Sequence, residues 1–234
     1  MSTSYISRCR KVICIGRNYV DHIKELNNKA PAQPFFFLKP TSAILTPGNG
    51  PIQRPKGTLL HYELELAVIL GKKLENIDPH RFGIQEALDA IDGYALALDL
   101  TARNVQDEAK KKGLPWSIAK GFDTFLPLSK FIPKAAIPDP HNAHLKFLVN
   151  GEVKQSDSTS LMVFKIPQLL STVSSIMTLE PGDIVLTGTP KGVGAIVPGD
   201  KVEGELSYNG EVVENGRFEF DVADKPGPYE YKQT

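Results

Sequence analysis

The sequence predicts an α+β fold that consists mainly of β-strands. Apolar segments with the composition of strands outnumber segments with helical spacing, and the two kinds do not alternate regularly along the chain. Regular alternation would favour a parallel sheet covered by helices on both faces. The 234 residues, of which 41% are hydrophobic and 23% charged, suit a single globular domain over 1–234. Its first 40 residues or so are predicted to form a short extension of one strand and one helix.

The N-terminal half is predicted to contain strands separated by short helices. Apolar and β-branched residues predict strands at 11–16, 35–40, 62–70 and 93–100. Helical spacing predicts helices at 18–27, 80–92 and 101–113. In the last of these, Thr101 lies near the N-cap and Gly113 follows the final turn. Proline and glycine predict a loop over 41–58.

The C-terminal half is predicted to be richer in strands. The Asn150-Gly151 pair predicts a hairpin turn between strands at 145–149 and 152–155. One helix is predicted at 166–177, and further strands at 183–188, 201–208 and 211–222. The last strand is predicted to be interrupted near Asn215-Gly216.

Overall charge and cysteine content exclude several classes of protein. The 27 basic and 27 acidic residues give a net charge of zero, which does not support nucleic-acid binding. Every apolar run is shorter than the roughly 20 residues of a membrane span, so we expect no membrane partner. Cys9 and Cys14 suggest no disulfide framework and favour a reducing compartment.

The beginning of the chain bears on localisation. Arg8, Arg10, Lys11 and Arg17 lie among several serines, and no acidic residue precedes Asp21. Such a composition is typical of mitochondrial presequences. The apolar VICIG segment already reads as the first strand, so a cleaved presequence would have to end before it. Mitochondrial and cytoplasmic locations both stay open.

Three carboxylates lie within apolar strands. Glu63 and Glu65 are two residues apart, so they point to the same side of a strand, and Asp99 lies at the penultimate position of the predicted strand at 93–100. Ionised carboxylates at such positions are costly unless they are paired or bind a metal. Their hard oxygen atoms favour Mg²⁺, Mn²⁺ or Ca²⁺ over zinc. Alternatively, each Glu lies on a solvated face beside a lysine, which is commoner for an isolated E-x-E pattern.

A second group of polar residues includes a potential proton-transfer pair. His22 and Glu25 are three residues apart on a predicted helix and therefore share a face. A carboxylate beside an imidazole fixes its tautomer, as general bases require. A surface His–Glu pair is the alternative. Arg17, at the end of the first strand, could meet an anionic substrate.

The third group follows Asp99 along the chain. Arg103 and Gln106 share a face of the helix at 101–113, and Lys120 follows the apolar Ser-Ile-Ala segment, which favours partial burial. Lysines 110–112 are interpreted as a solvated helix face. The glycine-rich segment 188–194 lacks the pattern of a phosphate loop and is interpreted as a tight turn, where Thr189 could donate to a carboxylate.

Taken in order, these motifs resemble the fumarylacetoacetate hydrolase superfamily. The resemblance is carried by GRNY with the following DH and E, by H-x-E-x-E, by LDLTARNVQDEAKKKGLPW, by Lys120 and by DIVLTGTPKGVG. It is greatest to the short, single-domain branch of mitochondrial acylpyruvases, oxaloacetate decarboxylases and oxaloacetate tautomerases. This branch implies a β-rich fold around a rolled mixed sheet with a few flanking helices, and usually a homodimer.

The resemblance also implies roles for individual residues. It implies Mg²⁺ or Mn²⁺ bound by Glu63, Glu65 and Asp99. The implied catalytic residues are His22 and Glu25 on a mobile N-terminal helix, together with Lys120. Arg17, Gln106 and Thr189 match positions that surround a bound 2-oxo acid. Tyr62 stands where many relatives carry a second histidine, and we expect little effect on the chemistry.

The implied activity is metal-dependent chemistry on small 2-oxo acids through an enolate. Oxaloacetate tautomerisation, oxaloacetate decarboxylation and acylpyruvate hydrolysis share that intermediate, and oxaloacetate is the favoured main substrate. Two alternatives are an isomerase or hydrolase of aromatic-degradation intermediates and a catalytically idle relative that acts as a binding protein. The complete set of implied site residues argues against the idle relative.

Overall fold

The computed structural model describes residues 5–25 and 31–233. Its strands are β1 (Val12–Ile15), β2 (Phe36–Lys39), β3 (Ile44–Leu45), β4 (Ile52–Arg54), β5 (Leu60–Tyr62), β6 (Leu64–Leu70), β7 (Ile91–Leu98), β8 (Thr101–Ala102), β9 (Leu126–Pro127), β10 (Ile132–Pro133), β11 (Ala143–Val149), β12 (Glu152–Ser158), β13 (Ile184–Leu186), β14 (Gly194–Ala195), β15 (Lys201–Tyr208) and β16 (Glu211–Asp224). Its α-helices are α1 (Val20–Glu25), α2 (Ile84–Ala90), α3 (Arg103–Lys112), α4 (Ser117–Lys120) and α5 (Ile166–Ser174). The α+β, mainly β fold class is confirmed.

Two larger sheets form the framework. The first is mixed and has the strand order β10-β7-β6-β13-β1-β2, in which β1 runs parallel to β13 and the other pairs are antiparallel. The second has the order β12-β11-β15-β16-β4. Smaller sheets join β14, β5 and β8, and β3 with β9. The N-terminal strand β1 therefore lies inside the main sheet, between β13 and β2.

Both faces of the six-stranded sheet are buried. Leu66 and Val68 of β6 point into the larger hydrophobic core, which also contains Phe147 and Phe218 of the five-stranded sheet. Ala67 and the other residues of alternate parity point into a smaller core on the opposite face. A strand buried on both faces reads as a continuous apolar run, as β6 does. Glu65 has the same parity as Ala67, so its carboxylate lies on the side of the smaller core.

The strand predicted at 62–70 is in fact two strands that meet at Glu63. β5 leaves the main sheet to pair with β8, where His61 lies opposite Thr101. This pairing also explains why helix α3 begins at Arg103, because Thr101 is held in a strand and Ala102 is the N-cap. Gly113 ends the helix in the left-handed conformation, as predicted.

Two predicted turns have the expected backbone geometry. Asn150 and Gly151 have φ values of 53° and 79° and join β11 to β12 as a hairpin. The predicted interruption near Asn215 is a bulge within β16, where φ is 64° and the pairing with β15 shifts register. The loop predicted over 41–58 contains the short strands β3 and β4. None of the described helices is long and apolar enough to cross a membrane.

Candidate active site

The three predicted carboxylates meet where β5, β6 and β7 come together. Glu63 lies between β5 and β6, Asp99 directly follows β7, and the Asp99 amide donates a hydrogen bond of 2.9 Å to the Glu63 carbonyl. Glu65 lies one residue inside β6, opposite Ala97 of β7. One oxygen atom from each carboxylate lies within 4.8 Å of the others, and all three side chains are buried. The strand break thus brings the three acids together.

Buried cations balance two of these carboxylates. Lys120, the last residue of α4, donates to Glu63 Oε2 at 2.9 Å and to Asp99 Oδ2 at 2.7 Å. Arg103, at the start of α3, donates to Glu63 Oε1 at 2.5 Å. Burial alone would raise the pKa of Glu63, but Lys120 and Arg103 outweigh it and hold that pKa well below its usual value. Burial disfavours the Lys120 ammonium, yet Asp99 and Glu63 raise its pKa.

Glu65 lies in a different electrostatic environment. It accepts a hydrogen bond of 2.6 Å from the Gly188 amide. Burial, and then the charges of Asp99 and Glu63, raise the pKa of Glu65 well above its ordinary value. A cation beside Glu65 would remove this repulsion. Gly188 is required for the contact, because its φ is 96° and a Cβ there would lie 2.7 Å from Asn18 Cβ.

The donor set fits a divalent cation. The three carboxylates offer hard oxygen atoms, which suit Mg²⁺ or Mn²⁺. Asp99 Oδ1 is buried and lies 2.9 Å from Lys39 Nζ, but this contact lacks hydrogen-bond geometry, and no described residue donates a hydrogen bond to the atom. An oxygen in this position has a lone pair available for a metal ion.

A cavity of about 320 Å³ lies over the carboxylates. Among the predicted site residues, those that line it are Arg17, His22, Glu63, Glu65, Asp99, Gln106, Lys120 and Thr189. Glu25 is not part of the lining but contacts His22. The fold therefore gathers residues predicted from four separate parts of the sequence around one small volume, at the lower end of the range for ligand sites.

Helix α1 holds the His22–Glu25 pair beside this cavity. His22 is buried, and its Nδ1 atom lies 3.2 Å from Glu25 Oε2. An ionised carboxylate only accepts hydrogen bonds, so Nδ1 donates and Nε2 is left to accept a proton. Glu25 in turn accepts a hydrogen bond of 3.1 Å from the Gly192 amide. This hydrogen bond connects the pair to the turn at 188–194.

One wall of the cavity is aromatic and cationic. The Arg17 guanidinium lies 5.2 Å from the centroid of the Phe35 ring. Trp116 contacts both Phe35 and Phe37, with ring centroids 6.2 Å and 5.5 Å apart. A Cβ on Gly16 would lie 2.1 Å from the Phe35 ring, so a larger residue there would force this ring to move. Phe37 also lies beside the carboxylate cluster, because the Lys120 ammonium is 4.8 Å from the centroid of its ring.

Two buried polar residues at the site were not predicted. Lys39 Nζ donates to the carbonyl oxygens of Leu100 and Lys120, at 2.9 Å and 2.6 Å, and so supports Asp99 from behind. Burial lowers the pKa of Lys39, against the raising effect of Asp99. Gln155 donates to Thr189 Oγ1 at 2.9 Å and thereby orients that hydroxyl. The sequence could have indicated that Lys39 is buried, because this lysine lies inside the apolar FFFLKP strand. No sequence pattern indicates the role of Gln155.

The three lysines predicted to form a solvated face differ from one another. Lys111 is exposed, and Lys112 bonds to Glu108 at 2.9 Å. Lys110 instead lines the cavity and lies 5.6 Å from the centroid of the Trp116 ring. The spacing of Lys110 from Arg103, seven residues, places both on one helix face and could have revealed this position.

Comparison with known proteins places the chain among established relatives. The protein-family model described as fumarylacetoacetate hydrolase C-terminal matches residues 11–217. The mitochondrial oxaloacetate tautomerase of Schizosaccharomyces pombe is 56% identical over 201 residues, which cover 86% of this chain and 90% of that protein.

Two solved structures are also similar. A yeast fumarylacetoacetate hydrolase family protein superposes with a TM-score of 0.90 at 45% identity, over 99% of this chain and 100% of that one. The fumarylpyruvate hydrolase of Pseudomonas aeruginosa, solved with Mn²⁺ and pyruvate, gives a TM-score of 0.81 at 31% identity, over 93% and 91% of the two chains. The chain therefore belongs to the fumarylacetoacetate hydrolase family.

Proposed function

We propose that this chain is a divalent-metal-dependent enzyme that acts on small 2-oxo acids, with oxaloacetate as its main substrate. Keto–enol tautomerisation is its main reaction, and decarboxylation of oxaloacetate and hydrolysis of acylpyruvates are companion activities. The observation that carries the proposal is the convergence of three buried carboxylates, Lys120 and the His22–Glu25 pair on one cavity of about 320 Å³. The name of the Schizosaccharomyces pombe relative supports oxaloacetate.

Glu63, Glu65 and Asp99 would hold the metal ion, Mg²⁺ or Mn²⁺. When bound, the ion supplies Lewis acidity to the oxygen atoms of a 2-oxo acid. The Mn²⁺ and pyruvate in the Pseudomonas aeruginosa relative support this assignment. Arg17, Gln106 and Thr189 line the same cavity and would orient the substrate carboxylate.

The remaining chemistry belongs to side chains of this chain. Lys120 places its ammonium beside Glu63 and Asp99, where it can stabilise the negative charge that develops on the keto oxygen of the substrate. His22, with Nδ1 held by Glu25, can accept a proton at Nε2 and return it to another substrate atom. Transfer between the methylene carbon and the keto oxygen gives tautomerisation.

Acylpyruvate hydrolysis is a second candidate for the same site. The Pseudomonas aeruginosa fumarylpyruvate hydrolase supports it as a family-level activity. Here His22 would activate water rather than move a substrate proton. The bulkier intermediates of aromatic degradation fit this small cavity less well, because the aromatic wall of Phe35, Phe37 and Trp116 limits their tails.

The location and assembly of the enzyme are part of the proposal. The basic, serine-containing N-terminus and the mitochondrial name of the Schizosaccharomyces pombe relative support a mitochondrial enzyme. The resemblance to the family supports a homodimer. Fractionation of cells that express the full chain tests the first, and light scattering on the purified protein tests the second.

Three separate readouts test the activity. The protein with Mg²⁺ should be incubated with enol-oxaloacetate and with acetylpyruvate while loss of the enol, release of pyruvate and release of CO₂ are followed independently. We expect loss of the enol to be the fastest of the three. A protein that hydrolyses acetylpyruvate but leaves enol-oxaloacetate at its spontaneous rate would reverse the order of main and companion activities.

Titration with Mg²⁺ should show one ion bound per chain, at Glu63, Glu65 and Asp99. At about 100 times its Kd, the ion should stabilise the fold by about 2.7 kcal/mol. Glu65→Gln and Asp99→Asn should each abolish most of this stabilisation, measured by calorimetry and thermal unfolding. Glu214→Gln, an exposed carboxylate on β16, is the matched control. Equal Mg²⁺ binding by all variants would contradict the assignment.

Helix α1 should behave as a lid that the ligand stabilises. It has six described residues, too few to be stable alone, and the predicted end of the helix at Asn27 lies outside the described residues. Its described contacts with the turn at 188–194 include Glu25 with Gly192 and an exposed ion pair, Asp21 with Lys191 at 3.4 Å. Hydrogen exchange of α1 should slow when oxalate and Mg²⁺ are added, while that of α5 stays unchanged. If saturating oxalate leaves the hydrogen-exchange rate of α1 unchanged, the helix does not act as a lid.

A further inference from the structure

Helix α3 presents three polar side chains to the cavity. Arg103, Gln106 and Lys110 follow one another at spacings of three and four residues and therefore share one helix face. Arg103 and Gln106 bond to each other at 2.6 Å, and Arg103 also binds Glu63. Arg103 is thus engaged within the protein, and it occupies the Oε1 atom of Gln106. Lys110 lies one turn further along the helix, and its ammonium is the group on this face that could bind a ligand.

The Lys110 ammonium has only weak partners among the described residues. It lies 3.8 Å from Asp107, an exposed residue on its own helix, and makes no hydrogen bond with any described residue. Its position is set by the Trp116 ring, whose centroid is 5.6 Å away. The side chain is 40% exposed, so its head reaches both the cavity and solvent. Burial and the nearby Arg103 lower the pKa of Lys110, which an incoming anion would reverse.

Two of the basic side chains that line the cavity could each bind an anionic group. Of the basic side chains that line it in the described structure, Arg103 and Lys120 are paired with buried carboxylates at 2.9 Å or less. Arg17 and Lys110 lack such pairing, and each lies over a ring of the aromatic wall. A 2-oxo acid with an uncharged tail brings one carboxylate, whereas a dicarboxylic 2-oxo acid brings two. Arg17 and Lys110 together would therefore match the two carboxylates of a dicarboxylic 2-oxo acid.

We propose that Lys110 binds the distal carboxylate of a four-carbon dicarboxylic 2-oxo acid and so selects it over 2-oxo acids with uncharged tails. This inference rests on the proposed function and names the residue that recognises the tail of the substrate. It also separates two reactions of that substrate. Tautomerisation moves one proton from C3 to the keto oxygen and leaves the distal carboxylate ionised throughout.

Decarboxylation changes the charge that Lys110 would contact. The C3–C4 bond breaks, its electron pair stays on C3 and delocalises to the keto oxygen, and the carboxylate leaves as neutral CO₂; a proton then returns to C3. An ammonium beside the distal carboxylate stabilises the ground state but not the neutral product, so it raises the barrier to this step. Lys110 therefore favours tautomerisation over loss of CO₂.

Three variants of the full chain, loaded with Mg²⁺, test the inference by kinetics. Lys110→Met should raise KM for enol-oxaloacetate by about tenfold, the usual weight of a charge-assisted hydrogen bond at a half-exposed site. It should leave kcat/KM for acetylpyruvate and inhibition by two-carbon oxalate within about twofold of the parent. The ratio of CO₂ release to tautomerisation should rise. Lys110→Arg should restore the parent values, and exposed Lys111→Met should match them throughout.

A binding experiment makes the result independent of turnover. Calorimetry should show that malate binds the parent more tightly than 2-hydroxybutyrate, which has a methyl group in place of the distal carboxylate. Lys110→Met should abolish that preference. Equal losses for acetylpyruvate, oxalate and oxaloacetate, or an unchanged malate preference, would show that Lys110 merely supports Trp116 and would overturn the inference. A parent that prefers malate but does not turn over oxaloacetate would overturn the proposed function alone.

Discussion

Lys120→Met should lower kcat for enol–keto conversion by about 10²–10³-fold, with a smaller change in KM. Lys120 contacts Glu63 and Asp99 and lines the cavity, and in the proposed mechanism the keto oxygen gains negative charge beside its ammonium. An ammonium lowers the barrier only as far as it is attracted more strongly to that developing charge than to the substrate. The variant should also bind oxalate, which resembles the enolate of pyruvate, less tightly. Steady-state kinetics at saturating Mg²⁺ measure the split between kcat and KM.

Lys39→Met provides the matched control for Lys120. Lys39 is also a buried lysine beside Asp99, but it does not line the cavity. Removing either ammonium leaves a buried carboxylate with less compensation, so both variants should lose stability, by about 3–5 kcal/mol in the absence of metal. Only Lys120→Met should also show the large loss of kcat. A Lys120 variant with normal kcat and a raised KM would mean that this lysine simply holds the substrate carboxylate.

His22→Ala and Glu25→Gln should each lower the turnover rate by about 10²–10⁴-fold, while Mg²⁺ affinity stays nearly constant. In the proposed mechanism His22 accepts the proton, and Glu25 fixes its tautomer through the contact of 3.2 Å with Nδ1. Glutamine can still accept the hydrogen bond from the Gly192 amide, so Glu25→Gln tests the charge of the carboxylate more than its position on α1. Initial rates and Mg²⁺ calorimetry on the same preparations separate the two effects.

Asp21→Asn is the control on the same helix. The Asp21 side chain is 49% exposed and pairs with Lys24 and Lys191. It lies outside the cavity lining, so its replacement should change turnover by less than about twofold. If Mg²⁺ affinity and turnover fall together in the His22 and Glu25 variants, the separate roles of the metal site and the pair would be refuted.

The sequence predicted those parts of the site that depend on local patterns. Glu63, Glu65 and Asp99 could be identified because acids inside apolar strands are rare and costly, and their side of the strand follows from its two-residue period. His22 and Glu25 could be paired because the helical spacing is also local. The structure places Glu63, Glu65, Asp99 and His22 in the lining of one cavity, with Glu25 in contact with His22, and their roles stay predictions.

Features that depend on distant partners could not be predicted. The strand break at Glu63 arises because β5 pairs with β8, some 40 residues away, and no local pattern encodes that pairing. Lys39 is buried because Asp99 and two carbonyl oxygens from other elements receive its ammonium. Gln155 acts from β12 on Thr189 across 34 residues of sequence. In the sequence Lys110 looks like the lysines that follow it, and only its contact with Trp116 distinguishes it.

The aromatic wall also gives the enzyme a built-in optical reporter. Trp116 is the single tryptophan among the 234 residues, and it lines the cavity between Phe37 and the Lys110 ammonium. Indole emission responds to nearby charge and to exclusion of water, both of which change when an anion enters. Selective excitation of tryptophan therefore reports occupancy of this cavity without a label, and stopped-flow fluorescence can follow the arrival and departure of a ligand on the timescale of turnover.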